Sequence, residues 1–361
     1  MNSNSKLIII VGDWSYPQYE SAFSASLKEF GYEVEPIVST KYIKGSFRNI
    51  LALIPFPTKS IVELNKEVKS TVYANKPCAV IFWKCTHIFS STIKYIGQLK
   101  IKTISYNNDD PFRHRFGKYS KWYDYFHWYW YSRSLKHFNF NFFYRDINRI
   151  EALKYYNASH ANVLMPYYLP GQNKPIKLND MEKNKYSCDI VFVGHYEQDS
   201  RVKYLEALVN AGFKVKLFGS SKVWTKKALG NELYNYFYPI HHANGVEYNK
   251  AINGAKICLA FLSKLNRDTY TRRCFEIPAS GKLMLAERTK DLQEIYEENV
   301  EACYFSDVKE LVKKASWLLK NDKNINEIAN NGYNRLKRDK HDINSRVAYL
   351  LDEVGLNNHK V

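Results

Sequence analysis

The residues best suited to chemistry lie in one stretch, Asn266-Arg267-Asp268-Thr269-Tyr270-Thr271-Arg272-Arg273-Cys274-Phe275-Glu276-Ile277-Pro278-Ala279-Ser280-Gly281. One apolar run, residues 257–262, precedes it, and another, residues 283–286, follows. Tyr270, Cys274 and Ile277 share one helical face, while Arg272, Arg273 and Glu276 project near the start of that helix. A strand, a loop, a cationic helix start and a C-capping Gly281 together predict an anion site. Asp268 and Glu276, eight residues apart, are spaced to flank one ligand. Guanidinium groups suit phosphate and carboxylates suit hydroxyls, which is the charge pattern a sugar nucleotide requires.

Two further loops hold acidic residues where strands end. Residues 101–106 read as a strand that empties into Asn107-Asn108-Asp109-Asp110-Pro111, and residues 6–11 as one that empties into Gly12-Asp13. In open α/β sheets ligands gather beyond the carboxyl ends of strands, so both loops are site candidates. Two carboxylates before a proline more often make a turn and a helix N-cap than a metal site. His87, His195, His241 and His242 are nearby options, each read first as a surface or capped histidine. Between Tyr119 and Tyr144 the rings of Trp122, Tyr123, Tyr125, Phe126, Trp128, Tyr129, Trp130 and Tyr131 crowd one helix-like segment, flanked by Lys121, Arg133 and Lys136. Such a segment suits a membrane interface, an acceptor-sugar platform or a partner surface; the blander reading is that half the rings are core.

The apolar pattern supplies the elements that must position these loops. Strands over 6–11 and 32–38, with a helix over 18–30 between them, are the β–loop–α–β opening of a doubly wound sheet. No G-x-G-x-x-G follows the first strand, so a dinucleotide fingerprint is absent. Residues 42–74 read as mostly helical with a break at Pro55-Phe56-Pro57. Strands are predicted over 78–83, 141–145 and 161–165, and helices over 91–99 and 146–156. The pattern then restarts, with strands over 188–193, 213–218, 256–262, 283–286 and 302–305 and helices over 199–211, 246–254, 291–298 and 307–319. Helical segments over 324–354 end the chain. The expected domains are residues 1–168, a polar, proline-containing linker over 169–187, a second domain over 188–335 and a helical segment over 336–361.

A chain of 361 residues, 45% hydrophobic and 25% charged, is long enough for two ordinary soluble domains. No apolar run approaches the ~20 residues that span a bilayer, and the first strand is too short and too early for a signal peptide. The expected location is the cytoplasm. Six cysteines without a CxxC pair read as buried free thiols. A formal charge of +17 asks for an acidic partner: nucleic acid, an anionic membrane surface or a phosphorylated substrate. The basic residues are dispersed and no recognised nucleic-acid motif is present, so no nucleic-acid partner is expected.

At Arg273-Cys274-Phe275-Glu276-Ile277-Pro278-Ala279-Ser280-Gly281 the chain resembles the C-terminal domain of the group-1 glycosyltransferases of the spore-maturation type, which are similar to the larger family-4 retaining transferases of GT-B fold. Phe192-Val193-Gly194 with Arg201, Leu217-Phe218-Gly219, Tyr304-Phe305-Ser306-Asp307 and Tyr106-Asn107-Asn108-Asp109-Asp110-Pro111 carry the same resemblance. It covers most of the chain and is strongest over residues 188–319. It implies an α/β, GT-B architecture: two doubly wound Rossmann-like domains facing a cleft, with C-terminal helices crossing back to the first domain. It further implies a glycosyltransferase moving a sugar from a nucleotide-sugar to a glycan or lipid-linked acceptor in bacterial-type surface polysaccharide synthesis, with no cofactor and no metal.

The family's roles carry over residue by residue. Glu276 matches the acidic residue on the nucleotide ribose, and Arg273 a basic residue that meets the diphosphate. Gly194 and Gly219 fall at donor-side strand ends, with Gly194 letting backbone approach the donor, and Arg201 adds phosphate charge near a helix start. Asp268 falls where the acidic residue near the donor sugar would lie; Asp replaces the usual Glu there, and the intervening Pro-Phe-Gly pattern is absent. If the reaction inverts, a base from the N-terminal domain is needed, with Asp13 and Asp109 as candidates; if it retains, none is required. Arginine and helix N-termini would stabilise the leaving diphosphate. The stretch between Tyr119 and Tyr144 adds an anionic membrane surface as a partner, with peripheral placement at the inner membrane face. Two other readings stay open: a non-catalytic sugar or lipid-carrier binding protein of the same fold, and a nucleic-acid-binding protein with a stacking groove.

Overall fold

The computed structural model describes residues 5–43, 55–84, 86–118 and 121–357. Cys85, Tyr119 and part of the helix expected over 42–74 lie outside the described residues. The chain forms two compact units: residues 1–165 with 265–267 and 343–361, and residues 166–264 with 268–342.

The first unit is built on a six-stranded sheet with the order β2-β1-β3-β4-β5-β6. Its strands are β1 (Leu7–Gly12), β2 (Glu33–Val38), β3 (Ala79–Trp83), β4 (Lys102–Asn107), β5 (Phe140–Phe143) and β6 (Ala161–Val163), and every pair is parallel. Ile8, Ile9, Ile10 and Val11, and likewise Ala79 through Phe82, are buried on both faces, which is why these strands read as unbroken apolar runs. Helices Lys59–Asn75 and Ser90–Gln98 cover Ile9, Val11, Val80 and Phe82 with Leu64, Val68, Val72, Ile93 and Ile96. The last helix, Ile343–Glu353, belongs to this unit and packs on Ala22–Glu29, where Ser26 Oγ donates to Asn344 Oδ1 at 2.6 Å.

The second unit repeats the plan with five parallel strands in the order β11-β10-β9-β7-β8. They are β7 (Cys188–Val193), β8 (Val215–Phe218), β9 (Ala255–Ala260), β10 (Leu283–Glu287) and β11 (Cys303–Phe305). Ile190, Phe192, Leu259 and Leu285 meet Leu205, Leu208, Leu311 and Leu318 from helices Arg201–Asn210 and Val308–Leu319 in its core. In each sheet the first strand has its successor on one side and the third strand on the other, so the order reverses at β1/β3 and at β7/β9.

Three local features differ from the sequence expectations. Residues 169–187 group with the second unit, and their end is a helix, Asp180–Tyr186. A capping box starts that helix: Glu182 N donates to Asn179 Oδ1 at 2.9 Å, and Asn179 N donates back to Glu182 Oε2 at 2.9 Å. Two turns of helix are too short to leave a periodic signal. Between β8 and β9, helices Lys226–Leu229 and Asn231–Phe237 were not anticipated. The aromatic stretch is two short helices, Asp124–His127 and Tyr129–Ser134, with Trp128 and Tyr131 buried and Trp122 and Tyr125 exposed.

Candidate functional site

The two order reversals locate two clusters, each at the carboxyl ends of its own strands. In the second unit, β7 ends at Val193 and runs into Gly194, His195 and Glu197, while β9 runs on through Leu262 to Ser263. Helix Arg273–Ala279 follows, with Arg272 at its N-cap and Gly281, at φ +66°, in the left-handed conformation that ends it. Cys274, Phe275 and Ile277 are fully buried, Glu276 is buried beside them, and Arg273 is half-buried.

Arg273 Nε donates to the carbonyl of Val193, so the guanidinium is anchored to the end of β7. A methyl group on Gly194 would lie 3.1 Å from Arg273 Nη2 and 2.7 Å from the Phe192 ring. Gly194 N donates to Phe218 O at 2.9 Å, and Trp224 Nε1 donates to Gly194 O at 2.8 Å. Gly219 lies against the same carbonyl: a side chain there would meet Gly194 O and Trp224 Nε1, each at 2.5 Å. The two glycines therefore allow the ends of β7 and β8 to touch, in addition to any contact with a ligand. Trp224 gave no sequence signal.

Glu276 is buried and accepts from Arg272 Nε at 2.6 Å. The Tyr248 phenol, also buried, is pushed well above its ordinary range by burial and by the Glu276 carboxylate. Arg201 is buried and committed to its own loop. It donates to Asp199 through Nε at 2.8 Å and Nη2 at 2.7 Å, and to the carbonyl of His195 through Nη1. Asp268 accepts from Ser263 N at 3.3 Å while its own N–H donates to Ser263 O at 2.9 Å. Ser263 Oγ in turn donates to Glu197 at 2.9 Å, and Glu197 lies 3.4 Å from Arg201. Asp268 and Arg201 thus belong to one chain of contacts that fixes the loops around Arg273. His195 is held below the ordinary histidine range by partial burial and by the Arg273 and His242 charges, which favours the neutral imidazole.

In the first unit a cavity of about 210 Å³ opens at the β1/β3 reversal, lined by Asp13, Tyr19, Glu20, Lys84, His87 and His127 among others. Two non-glycine residues there, Trp14 after β1 and Lys84 after β3, take positive φ values of 61° and 46°. Side chains resist that conformation, and such strain clusters at functional sites. Asp13 N donates to Glu20 Oε1 at 2.9 Å, and Ser15 Oγ donates to the Asp13 carboxylate. Glu20 was not singled out from sequence; it is buried against Gly12, and burial raises its pKa. Asp109 is ion-paired with Lys84. Burial alone would raise the Asp109 pKa, but Lys84, Arg145 and Arg113 outweigh it and hold the carboxylate charged. Asp110 makes the expected turn but not a helix cap: it accepts from Phe112 N at 3.0 Å, while Phe112 itself stands at the N-cap of helix Arg113–Phe116, and Arg267 of the same unit donates to Asp110 at 2.9 Å through Nη2. His127 is driven down to about 4 by burial and by the Lys84 charge, so its ring is neutral at pH 7.

Residues 201–352 match the family model described as glycosyl transferase-like. No curated protein matches the chain at significant similarity. Solved structures resemble it over nearly its whole length. Sucrose-phosphate synthase from Thermosynechococcus elongatus superposes with a TM-score of 0.70 at 10% identity, over 96% of this chain and 97% of that one. A glycosyltransferase from Rickettsia africae gives 0.67 at 12% identity, over 99% and 100%. HepE from Anabaena, in complex with UDP and glucose, gives 0.65 at 10% identity, over 96% and 99%. At such identities the likeness establishes the fold: two parallel α/β sheets of GT-B type.

Proposed function

We propose that the protein is a glycosyltransferase that moves a sugar from a nucleotide-sugar donor to a glycan or lipid-linked acceptor in surface polysaccharide synthesis. The observation that carries this reading is one short helix at the β7/β9 reversal, bearing Arg273 anchored beside Gly194 and Glu276 one turn further on. It lies within the segment that matches the glycosyl transferase-like model. In this reading Arg273 meets the donor diphosphate and stabilises it as it leaves, and Glu276 accepts from the ribose hydroxyls, with no metal required. Arg201, Asp268 and Ser263 hold the surrounding loops in shape. UDP-sugars are the first donors to test, because the solved structures of HepE contain UDP or UDP-glucose.

The β1/β3 cavity is assigned to the acceptor. Asp13, which lines it, is the candidate base for an inverting reaction, and Asp109, paired with Lys84, is the alternative. The exposed Trp122 and Tyr125 support a peripheral position at the inner face of a membrane.

The test is a donor screen by mass spectrometry with UDP-, GDP-, TDP- and CMP-sugars. One donor is expected to be consumed with release of its nucleotide. No binding and no turnover of any donor would overturn the reading, and binding without turnover would favour a non-catalytic sugar-binding protein of the same fold.

A further inference from the structure

Helix Asp146–Tyr156 of the first unit presents the wrong face to solvent for an ordinary surface helix. Asn148 and Glu151 are buried, whereas Ile147, Ile150 and Leu153 are 41%, 48% and 43% exposed. Steps of three residues put these three side chains on one face, so the outer stripe is apolar where charged and polar residues are the rule. Further exposed rings begin at the C-terminal end of the same helix. Tyr155 of this helix packs at 5.0 Å on Phe116, and the neighbouring His114 meets Tyr125 at 5.5 Å. Tyr125 meets Phe126 at 5.5 Å, and Phe126 meets Trp122, which is 74% exposed, at 6.2 Å. Exposed apolar side chains gathered on one side of a unit in this way mark an interaction site.

Its rim shows what it fits. The Arg115 guanidinium lies 4.8 Å from the centre of the Tyr155 ring, and the Lys154 ammonium 5.2 Å from it. Lys121 lies over Tyr123 at 5.7 Å. The carboxylates of the region are already neutralised: Asp146 pairs with Arg149 at 2.6 Å, Asp124 is buried against Arg113 at 2.6 Å, and buried Glu151 is bound by Arg267. Apolar side chains ringed by cations that form no ion pair among the described residues are complementary to an anionic lipid surface, in which the former enter the acyl boundary and the latter meet headgroup phosphates. Among the described residues no helix is long and apolar enough to cross a membrane, so contact of this kind would be peripheral.

We infer that Ile147, Ile150 and Leu153, with Phe116 and Trp122, form a membrane-docking face that selects anionic lipid through Arg115, Lys121 and Lys154. This face deepens and rests on the membrane-side position proposed above, and it does not depend on the transfer reaction. The experiment is co-sedimentation of the full chain with vesicles of phosphatidylcholine alone and of mixed phosphatidylcholine and phosphatidylglycerol. The mixed vesicles are expected to bind about tenfold more tightly or better. The triple variant I147S/I150S/L153S, and separately Trp122→Ser, should each weaken that binding about tenfold or more, with Trp122→Ser, the most exposed side chain of the face, leaving Tm unchanged. R115Q/K154Q should erase the preference for anionic vesicles. Equal or absent binding to both vesicles overturns the inference, as do variants that bind like wild type. A dimer in light scattering that the triple variant dissociates, with no vesicle binding, would assign the face to a second copy of the chain instead. Donor turnover in vesicle-free solution should be unchanged in all variants, so a failure here is distinguishable from a failure of the proposed activity.

Discussion

Glu276 has a structural partner as well as a proposed ligand. Its carboxylate and the Arg272 guanidinium are both largely buried and 2.6 Å apart. Deleting the carboxylate in Glu276→Ala removes one partner of that largely buried guanidinium, which costs on the order of 3 kcal/mol for a buried pair. Glu276→Gln keeps an acceptor oxygen for Arg272 and keeps the volume, so its stability loss should be smaller, about 1 kcal/mol. Both variants remove the charged acceptor offered to ribose and should weaken nucleotide binding about tenfold or more. Melting curves together with UDP titration by calorimetry check this; unchanged affinity in Glu276→Gln would remove Glu276 from the site. Arg273 makes the complementary case. Arg273→Lys retains the charge but not the fork that holds the Val193 carbonyl and, in the proposed role, would meet a diphosphate at once. Its kcat/KM should fall about tenfold or more, with Arg273→Ala lower still and Tm little changed in either.

The strand ends show what was legible in the sequence and what was not. The eleven strands among the described residues match the expected ones with bounds shifted by a few residues; most are continuous apolar runs because parallel strands are buried on both faces, whereas edge strand β2 is half-exposed. Arg273 and Glu276 were legible as chemistry because they break such a pattern. Lys84 was not, because its partner Asp109 becomes a neighbour only when β3 and β4 pair in the register Trp83↔Tyr106. Glu20 was missed for a similar reason: its burial comes from the fit against Gly12, which no local pattern encodes. Gly194 and Gly219 were legible as strand-end positions, but their contact with each other was not. That contact yields a contrast between two substitutions. In Gly219→Ala the new methyl meets a backbone oxygen and the Trp224 indole at 2.5 Å, and neither can swing aside. Overpacking of this kind costs about 1–3 kcal/mol. In Gly194→Ala the obstacles are side chains, the Phe192 ring and the Arg273 guanidinium, so the Arg273 end is displaced. Gly219→Ala should therefore lower Tm more, while Gly194→Ala should lose nucleotide affinity out of proportion to its stability; calorimetry and thermal melts on the pair separate the two effects.

At the scale of the whole molecule, acid stability follows from how the first unit confines charge around its β1/β3 reversal. His127 has its pKa driven to about 4 by burial, with the Lys84 charge adding to that and Asp109 opposing it. The unfolded chain, with an ordinary histidine near 6.5, takes up this proton first, so protonation favours unfolding. The contribution is present in full above about pH 6.5 and is lost as pH falls towards about 4, at about 1.4 kcal/mol per unit of separation, or roughly 3 kcal/mol in all. Asp109 acts in a lower window. Its folded pKa is depressed, so the stability it contributes is present above the ordinary carboxylate range and is lost only as pH falls through the folded value. The two effects are separable because the histidine window opens first. Urea unfolding of wild type and His127→Gln between pH 7 and pH 4.5 should therefore give stability differences that depend on pH. The variant should gain on wild type by about 2–3 kcal/mol over that interval, since it has no imidazole to protonate. A difference that stays constant with pH would show that His127 titrates as an ordinary surface histidine, and the half-buried, neutral ring beside Lys84 and Asp109 would have to be abandoned.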